Sequence, residues 1–255
     1  MSLDATTRMR TFLSLLPAKG RAAGIHVAIS LVIFLVLLYL ILVKWYPMPY
    51  FQVDGGWQGI RLMFAIDVVL GPLLTFIIFD TRKSRRAITF DLTLIALVQF
   101  SALAWGAHTV HSQRPVAIVE YDGVLEAAIA EDFKTQAVSL DSLAQYDDRH
   151  PPVIFERVDP DDYLTILRLS GQGIPRRAQT SLYERFKDRL PELFTHAATY
   201  ESKITKVHPE LVPALQAMRV EHGQGVGFLP FSGRHGTLIL VFSPDGNVVD
   251  SLPQP

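Results

Sequence analysis

Cysteine is missing from all 255 residues, which excludes disulfides, thiolate metal sites and thiol nucleophiles and leaves the compartment to be read from topology. There is no repeat, low-complexity tract or long linker. Catalytic patterns are absent as well. Ser170-Gly171-Gln172-Gly173 and Gly223-Gln224-Gly225-Val226-Gly227 are glycine-rich, but neither completes a phosphate loop or a dinucleotide fingerprint, so both read as turns. No Gly-x-Ser-x-Gly elbow or His-Glu-x-x-His pair occurs. His196, His208, His222 and His235 are scattered, and the acids of 141–149 and 159–162 lack the alternating spacing of a calcium loop. No enzyme activity, cofactor or bound metal is therefore expected. A basic surplus is lacking too: the net charge is -1, and residues 111–255 hold 14 Lys/Arg against 20 Asp/Glu. An acidic half of this kind argues against nucleic acid as a partner.

What the chain has is hydrophobicity. It is 49% apolar with a mean hydropathy of +0.23, too apolar for an ordinary soluble domain, and the excess is concentrated in the first 110 residues. Three runs are long enough to cross a bilayer, at about 25–43, 60–79 and 88–107. The first follows Arg8, Arg10, Lys19 and Arg21 and superficially resembles a signal peptide. It is too long for one, and the bulky Lys44-Trp45-Tyr46-Pro47 stands where small cleavage-site residues are needed. Residues 1–23 then form a cytoplasmic N-terminus. The short loop with Arg82, Lys83, Arg85 and Arg86 is placed on the same side by the positive-inside rule. The 45–59 connection and everything after residue 110 face the other side.

The stretch 45–75 carries the unusual residues. Trp45, Tyr46, Tyr50 and Trp57 crowd a connection rich in proline and glycine, and read as interfacial anchors in contact with membrane lipid. The second run then takes Asp67 into the membrane, where an aspartate costs roughly 2.5–3.5 kcal/mol on insertion scales and needs a partner. Asp67, Gly71 and Thr75 fall at i, i+4 and i+8. Pro72 lacks an N–H, which frees the carbonyl of Val68 four residues back. Gln99, near the middle of the third run, lies at a depth where it can meet Asp67. This small, polar, kinked stripe of Asp67, Gly71, Pro72, Thr75 and Gln99 suits either contact with a partner's transmembrane helix or adhesion among the chain's own helices.

Residues 111–255 are enough for one domain with its own core. Strands are predicted at 116–121 and 152–157, and helices from 159 to 171, at 181–190, 191–204 and 209–221. A closing meander is predicted at 225–231, 237–242 and 248–252. The fold class is an α+β periplasmic domain attached to an N-terminal bundle of three transmembrane helices, with 1–23, 24–110 and 111–255 as its parts.

The motifs WYPMPYF, GGWQG, FAIDVVLGPLLTFIIF, TRKSRRAITFDLTLIALVQF and HSQRPVAIVEYDG resemble those of the type IV pilin accessory protein family (TfpX/TfpZ-like) over residues 25–123. The resemblance implies an inner-membrane, multi-pass accessory protein or chaperone for the major type IV pilin. Such a protein would touch the pilin's transmembrane helix and possibly its head domain. It supplies no catalytic residues. The alternative from the residues alone is a membrane-anchored periplasmic ligand-binding or sensor protein. An enzyme using Asp67 or Asp91 in proton chemistry ranks behind both.

Overall fold

The computed structural model describes residues 2–134, 136 and 138–254, with side chains described from residue 13 onward; Arg8 and Arg10 therefore lie outside the described side chains. Three helical segments, Leu13–Trp45, Gly56–Ile78 and Arg85–Ser112, are long and apolar enough to cross a membrane. A mixed α+β sheet domain follows them. The first segment is α1 (Ser2–Tyr39) continued by a π-helical turn at Leu40–Trp45. The second is broken into α2 (Gly56–Phe64), a π turn (Ala65–Leu70) and α3 (Gly71–Ile78). The third is α4 (Arg85–Ser112).

The break in the second segment has a covalent cause. The N–H of Gly71 bonds the carbonyl of Ile66, five residues back. The next donor in that series would be Pro72, which has no N–H, so the carbonyl stranded by the proline is that of Asp67. The sequence pointed to Val68. The π turn moves the vacancy one residue toward the N-terminus, onto the residue that also carries the buried acid.

The chain divides into two compact units, residues 1–44 with 57–110, and residues 45–56 with 111–255. The second unit is built on one seven-stranded sheet of order β4-β3-β1-β2-β5-β6-β7. Its strands are β1 (Pro115–Tyr121), β2 (Val124–Ile129), β3 (Val153–Glu156), β4 (Tyr183–Arg185), β5 (Gly227–Gly233), β6 (Gly236–Phe242) and β7 (Val248–Pro253). β1 pairs parallel with β3 and β2 parallel with β5; the remaining neighbours are antiparallel. Its helices are α5 (Tyr163–Gly171), α6 (Leu190–Val207) and α7 (Val212–His222). Successive residues of β6 enter different apolar clusters: Leu238, Leu240 and Phe242 join Ile118, Leu125, Leu229 and Phe231, whereas Ile239 and Val241 join Phe228 and Leu215. With both faces covered, a strand reads as an unbroken apolar run.

Two local expectations are corrected. Asp122-Gly123 does not simply end a strand: both residues have positive φ, 51° and 81°, and they turn β1 directly into β2, whose register runs from Tyr121↔Val124 to Pro115↔Ile129. This is the Asp-Gly hairpin turn, hidden because the following VLEAAI is composed largely of helix formers. The helix predicted at 181–190 is instead a pair of 3₁₀ turns around β4. There Tyr183–Arg185 closes the edge of β3, and the helix starts only at Leu190, with Pro191 in its first turn.

Candidate functional site

α1 is less uniform than its hydropathy suggests. Lys19, His26 and Ser30 follow at spacings of seven and four, one face of a helix, and that face meets the second and third segments. Ser30, 1% exposed, donates to Asp67 Oδ1 at 3.0 Å. From α4, Gln99 Nε2 donates to the same oxygen at 2.5 Å and to the stranded Asp67 carbonyl at 3.2 Å. His26 Nδ1 lies 2.6 Å from Thr75 Oγ1. Lys19 Nζ donates to the carbonyls of Phe76 and Ile77 at 3.1 and 2.8 Å, a cation closing the C-terminal end of α3. Three segments are thus joined through one carboxylate.

This arrangement places the predicted stripe. Asp67 and Thr75 are each 2% exposed, and Gly71 and Pro72 are buried. A Cβ built on Gly71 would lie 2.0 Å from Gln99 Oε1, so the glycine is required by the chain's own α4. The polar stripe is therefore occupied by α1 and α4, and of the two roles open in the sequence the geometry displays adhesion among the chain's own helices.

Beside the stripe lies an open cleft of about 590 Å³. Its α1 wall includes Ala18, Ala22, Ile25, His26 and Ile29, and its other walls include Thr75, Phe79, Leu92, Ile95 and Ala96. Arg21 and Thr81 also line it. Thr75 and His26 belong to both the cleft and the polar network. His26 and Ser30 are not legible in the sequence as site residues because each sits singly in an apolar run, and Lys19 reads there only as a flanking positive charge; their common face was the available signal.

The predicted topology loop is partly neutralised. Arg82 pairs with Asp80 at 2.6 Å and Lys83 with Asp91 at 2.5 Å, while Arg85 and Arg86 are exposed in the first turn of α4.

In the second unit the connection is a structural part of the sheet domain. Tyr50 and Val53 sit in the main core cluster with Ile118, Leu125, Phe231 and Leu238, the rings of Tyr50 and Phe231 being 5.1 Å apart. Asp54, 0% exposed, accepts from Arg234 Nε at 3.2 Å. The Val53 carbonyl accepts from the N–H of His235 at 2.8 Å. Gly233 permits this approach, since a Cβ there would meet the Val53 carbonyl oxygen at 2.7 Å. Burial pushes the Asp54 carboxyl above its usual range, with Arg234 opposing the shift. Two expected lipid anchors are corrected by this packing: Tyr46, 1% exposed, and Tyr50, 5% exposed, are inside protein. Trp45 packs edge-on against His111, ring centres 5.0 Å apart, and Trp57 is half-exposed on α2. The connection, which by sequence groups with the membrane part, belongs to the other unit, where Tyr50 and Val53 fill the sheet's core.

The carboxyl ends of β1 and β3 hold two buried acids. Glu120 accepts from the Gly123 N–H at 2.8 Å and lies 2.9 Å from His196 Nδ1. Glu156 accepts from Arg176 Nε at 3.1 Å. Burial, opposed by Arg176, pushes Glu156 from 4.5 up to about 7. An acid whose folded value is raised binds more protons folded than unfolded, so its contribution to stability is full below 4.5 and falls as pH rises to about 7. In detergent-solubilised protein, Glu156→Gln is expected to remove a pH-dependent loss of up to about 3 kcal/mol in that window. Thermal midpoints of wild type and variant that run parallel from pH 4.5 to 7 would contradict it.

The family model of the fimbrial assembly protein FimB matches residues 14–55. A fimbrial assembly protein of serogroup I from Dichelobacter nodosus is 39% identical over 100 residues, 39% of this chain and 39% of the relative. A serogroup E1 protein of the same organism is 39% identical over 106 residues, 41% of each chain. One from serogroups C1 and C2 is 38% identical over 106 residues, 41% of this chain but 81% of the relative. The matched stretch thus spans about two fifths of the length of the first two relatives. No solved structure matches. Since four fifths of one relative is matched at 38% identity, in keeping with the pilus-related resemblance of the motifs, the chain belongs to the fimbrial assembly protein family.

Proposed function

We propose that this protein is an inner-membrane accessory protein or chaperone for the major type IV pilin, supporting pilin stability and pilus assembly. It holds the pilin's transmembrane helix in the open cleft of the first unit and carries out no covalent chemistry. The observation that carries this reading is the cleft itself. In a segment of the chain that reads as membrane-spanning, the polar stripe is closed by α1 and α4, yet a 590 Å³ opening remains beside it. Ala18, Ala22 and Ala96 in its walls suit the close backbone approach on which helix association in lipid depends. Membership of a fimbrial assembly protein family supports the choice of client. In this topology the N-terminus and the Arg82–Arg86 loop are cytoplasmic, and residues 111–255 are periplasmic.

The test combines bulk and orientation. Ala22→Phe and Ala96→Phe are expected to leave protein abundance within about twofold of wild type while lowering pilin copurification at least roughly tenfold, because the new rings fill the cleft, whose lining does not include Asp67, Ser30 or Gln99. Alkaline phosphatase fused after Pro255 is expected to be active and after Arg86 inactive. Undiminished pilin recovery with both phenylalanine variants would exclude the cleft as the client site, and the reverse fusion pattern would overturn the topology.

A second reading, a membrane-anchored ligand-binding or sensor protein, is favoured by a 420 Å³ cleft in the sheet domain lined by His196, Thr199, Tyr200, Lys203, Ser232 and Thr237, among others. Pilin recovery that is independent of this chain would move the choice there.

A further inference from the structure

α5 differs from the other helices of the sheet domain: none of its residues is buried. Tyr163, Leu164 and Leu167 are 62, 76 and 51% exposed, although five of the nine residues of the helix, YLTILRLSG, are apolar or aromatic and its polar side chains are only Thr165, Arg168 and Ser170. An exposed apolar helix face on an aqueous domain marks an interaction surface. Its rim identifies the occupant. Asp161, in the turn that leads into α5, Leu164 and Arg168 succeed one another at spacings of three and four, which sets them along one side of the helix. Asp161 and Arg168 are both exposed, and neither has an ion-pair partner among the described residues. One end of the face is therefore acidic and the other basic, with an apolar centre, which is the self-complementary pattern that a two-fold axis requires.

We propose that α5 is a self-association surface on which two copies of this chain pair through antiparallel α5 helices, Leu164 near the axis and Asp161 of each copy facing Arg168 of the other. A lipid surface fits less well, because Asp161 and the exposed Asp159 face any approaching anionic headgroup and interfacial helices depend on basic flanks. The helix spans only about 13 Å, short of what a standard stable interface buries. Pairing is accordingly weak in dilute solution and depends on the confinement of both copies to one membrane, as in the topology proposed above.

The absence of cysteine makes the test direct. The full chain carrying Leu164→Cys, in native membranes under mild oxidant, is expected to form a disulfide-linked dimer at least roughly tenfold more efficiently than the chain carrying Val220→Cys, which is 82% exposed on α7. In the Leu164→Cys background, Asp161→Arg and Arg168→Asp are each expected to lower cross-linking roughly tenfold by setting like charges together, and the two combined to restore it. Equal cross-linking at Leu164→Cys and Val220→Cys, indifference to charge reversal, or capture of a different protein instead of a second copy each overturns the proposal. Pilin recovery measured on the same samples reports on the cleft separately, so failure of one reading does not decide the other.

Discussion

Residues 111–255 produced without the connection are expected to form a loosened domain with a broadened or absent thermal transition, exposed apolar surface and weak near-ultraviolet dichroism. The reason is the position of Tyr50 and Val53, 5 and 8% exposed in the same cluster as Ile118, Leu125 and Phe231. Full burial of such side chains contributes about 1.5–3 kcal/mol each. Their joint loss is thus about 3–6 kcal/mol, a large part of the roughly 5–15 kcal/mol by which whole domains are stable. Asp54 is lost with them, and Arg234, which donates to both the Asp54 and the Gln113 carbonyls, is left with half its partners. Those two bonds also show that residues 54 and 113 lie within reach of one side chain. A short glycine-serine linker from Gly56 to His111 is therefore expected to restore a cooperative transition. Identical melting of the linked and truncated domains would show that the connection contributes nothing to the core.

The other large effect is expected at Gly71. Its Cβ position falls 2.0 Å from Gln99 Oε1 and 2.5 Å from Gln99 Cδ, so even Gly71→Ala must expel the glutamine side chain. Expulsion removes both Gln99 bonds from Asp67, leaving a carbonyl that Pro72 has already deprived of its helical partner. Overpacking costs about 1–3 kcal/mol, and bonds of this type in membrane helices contribute about 0.6–2 kcal/mol each. Changes of that size alter cellular abundance several-fold. Gly71→Leu should be worse than Gly71→Ala, and Gln99→Ala combined with Gly71→Ala should recover the steric part but not the polar part. Asp67→Asn is expected to be mild because an amide oxygen still accepts from Ser30 and Gln99, whereas Asp67→Leu removes the side-chain acceptor of both and leaves Gln99 only the main-chain carbonyl at this residue. Immunoblots of membranes and detergent melting curves measure these effects. Leucine variants at both positions that accumulate normally yet lose pilin would reverse the assignment and make the stripe a client groove.

Legibility in the sequence followed the physics of each element. Long apolar runs announce themselves by solvation alone, so all three membrane-length helices were evident. The meander of β5, β6 and β7 was readable from turns and apolar runs. Asp67 and Gln99 were paired by depth, and they meet. The missed parts depend on tertiary partners. Ser30 and His26 gain meaning only when α3 lies against them. VLEAAI becomes a strand because Asp122-Gly123 folds it onto β1, overriding helix propensity. The aromatic connection has the composition of a membrane interface, and nothing local reveals that β5 and β6 present a glycine-flanked turn to receive it.

That connection also sets an order of events. Asp54 and Arg234 are 180 residues apart in the chain, and at roughly 5–20 residues per second the ribosome needs on the order of 10–40 s to make the second after the first. Throughout that interval Tyr50 and Val53 stand without Leu229, Phe231, Leu238 and Leu240, the β5 and β6 members of their cluster. The sheet domain is in this sense a late-closing structure, its main core completed only when its last strands arrive. A holding chaperone, or the lipid interface itself, has its natural point of action in that window, and substitutions that slow closure would show first as proteolysis at the connection.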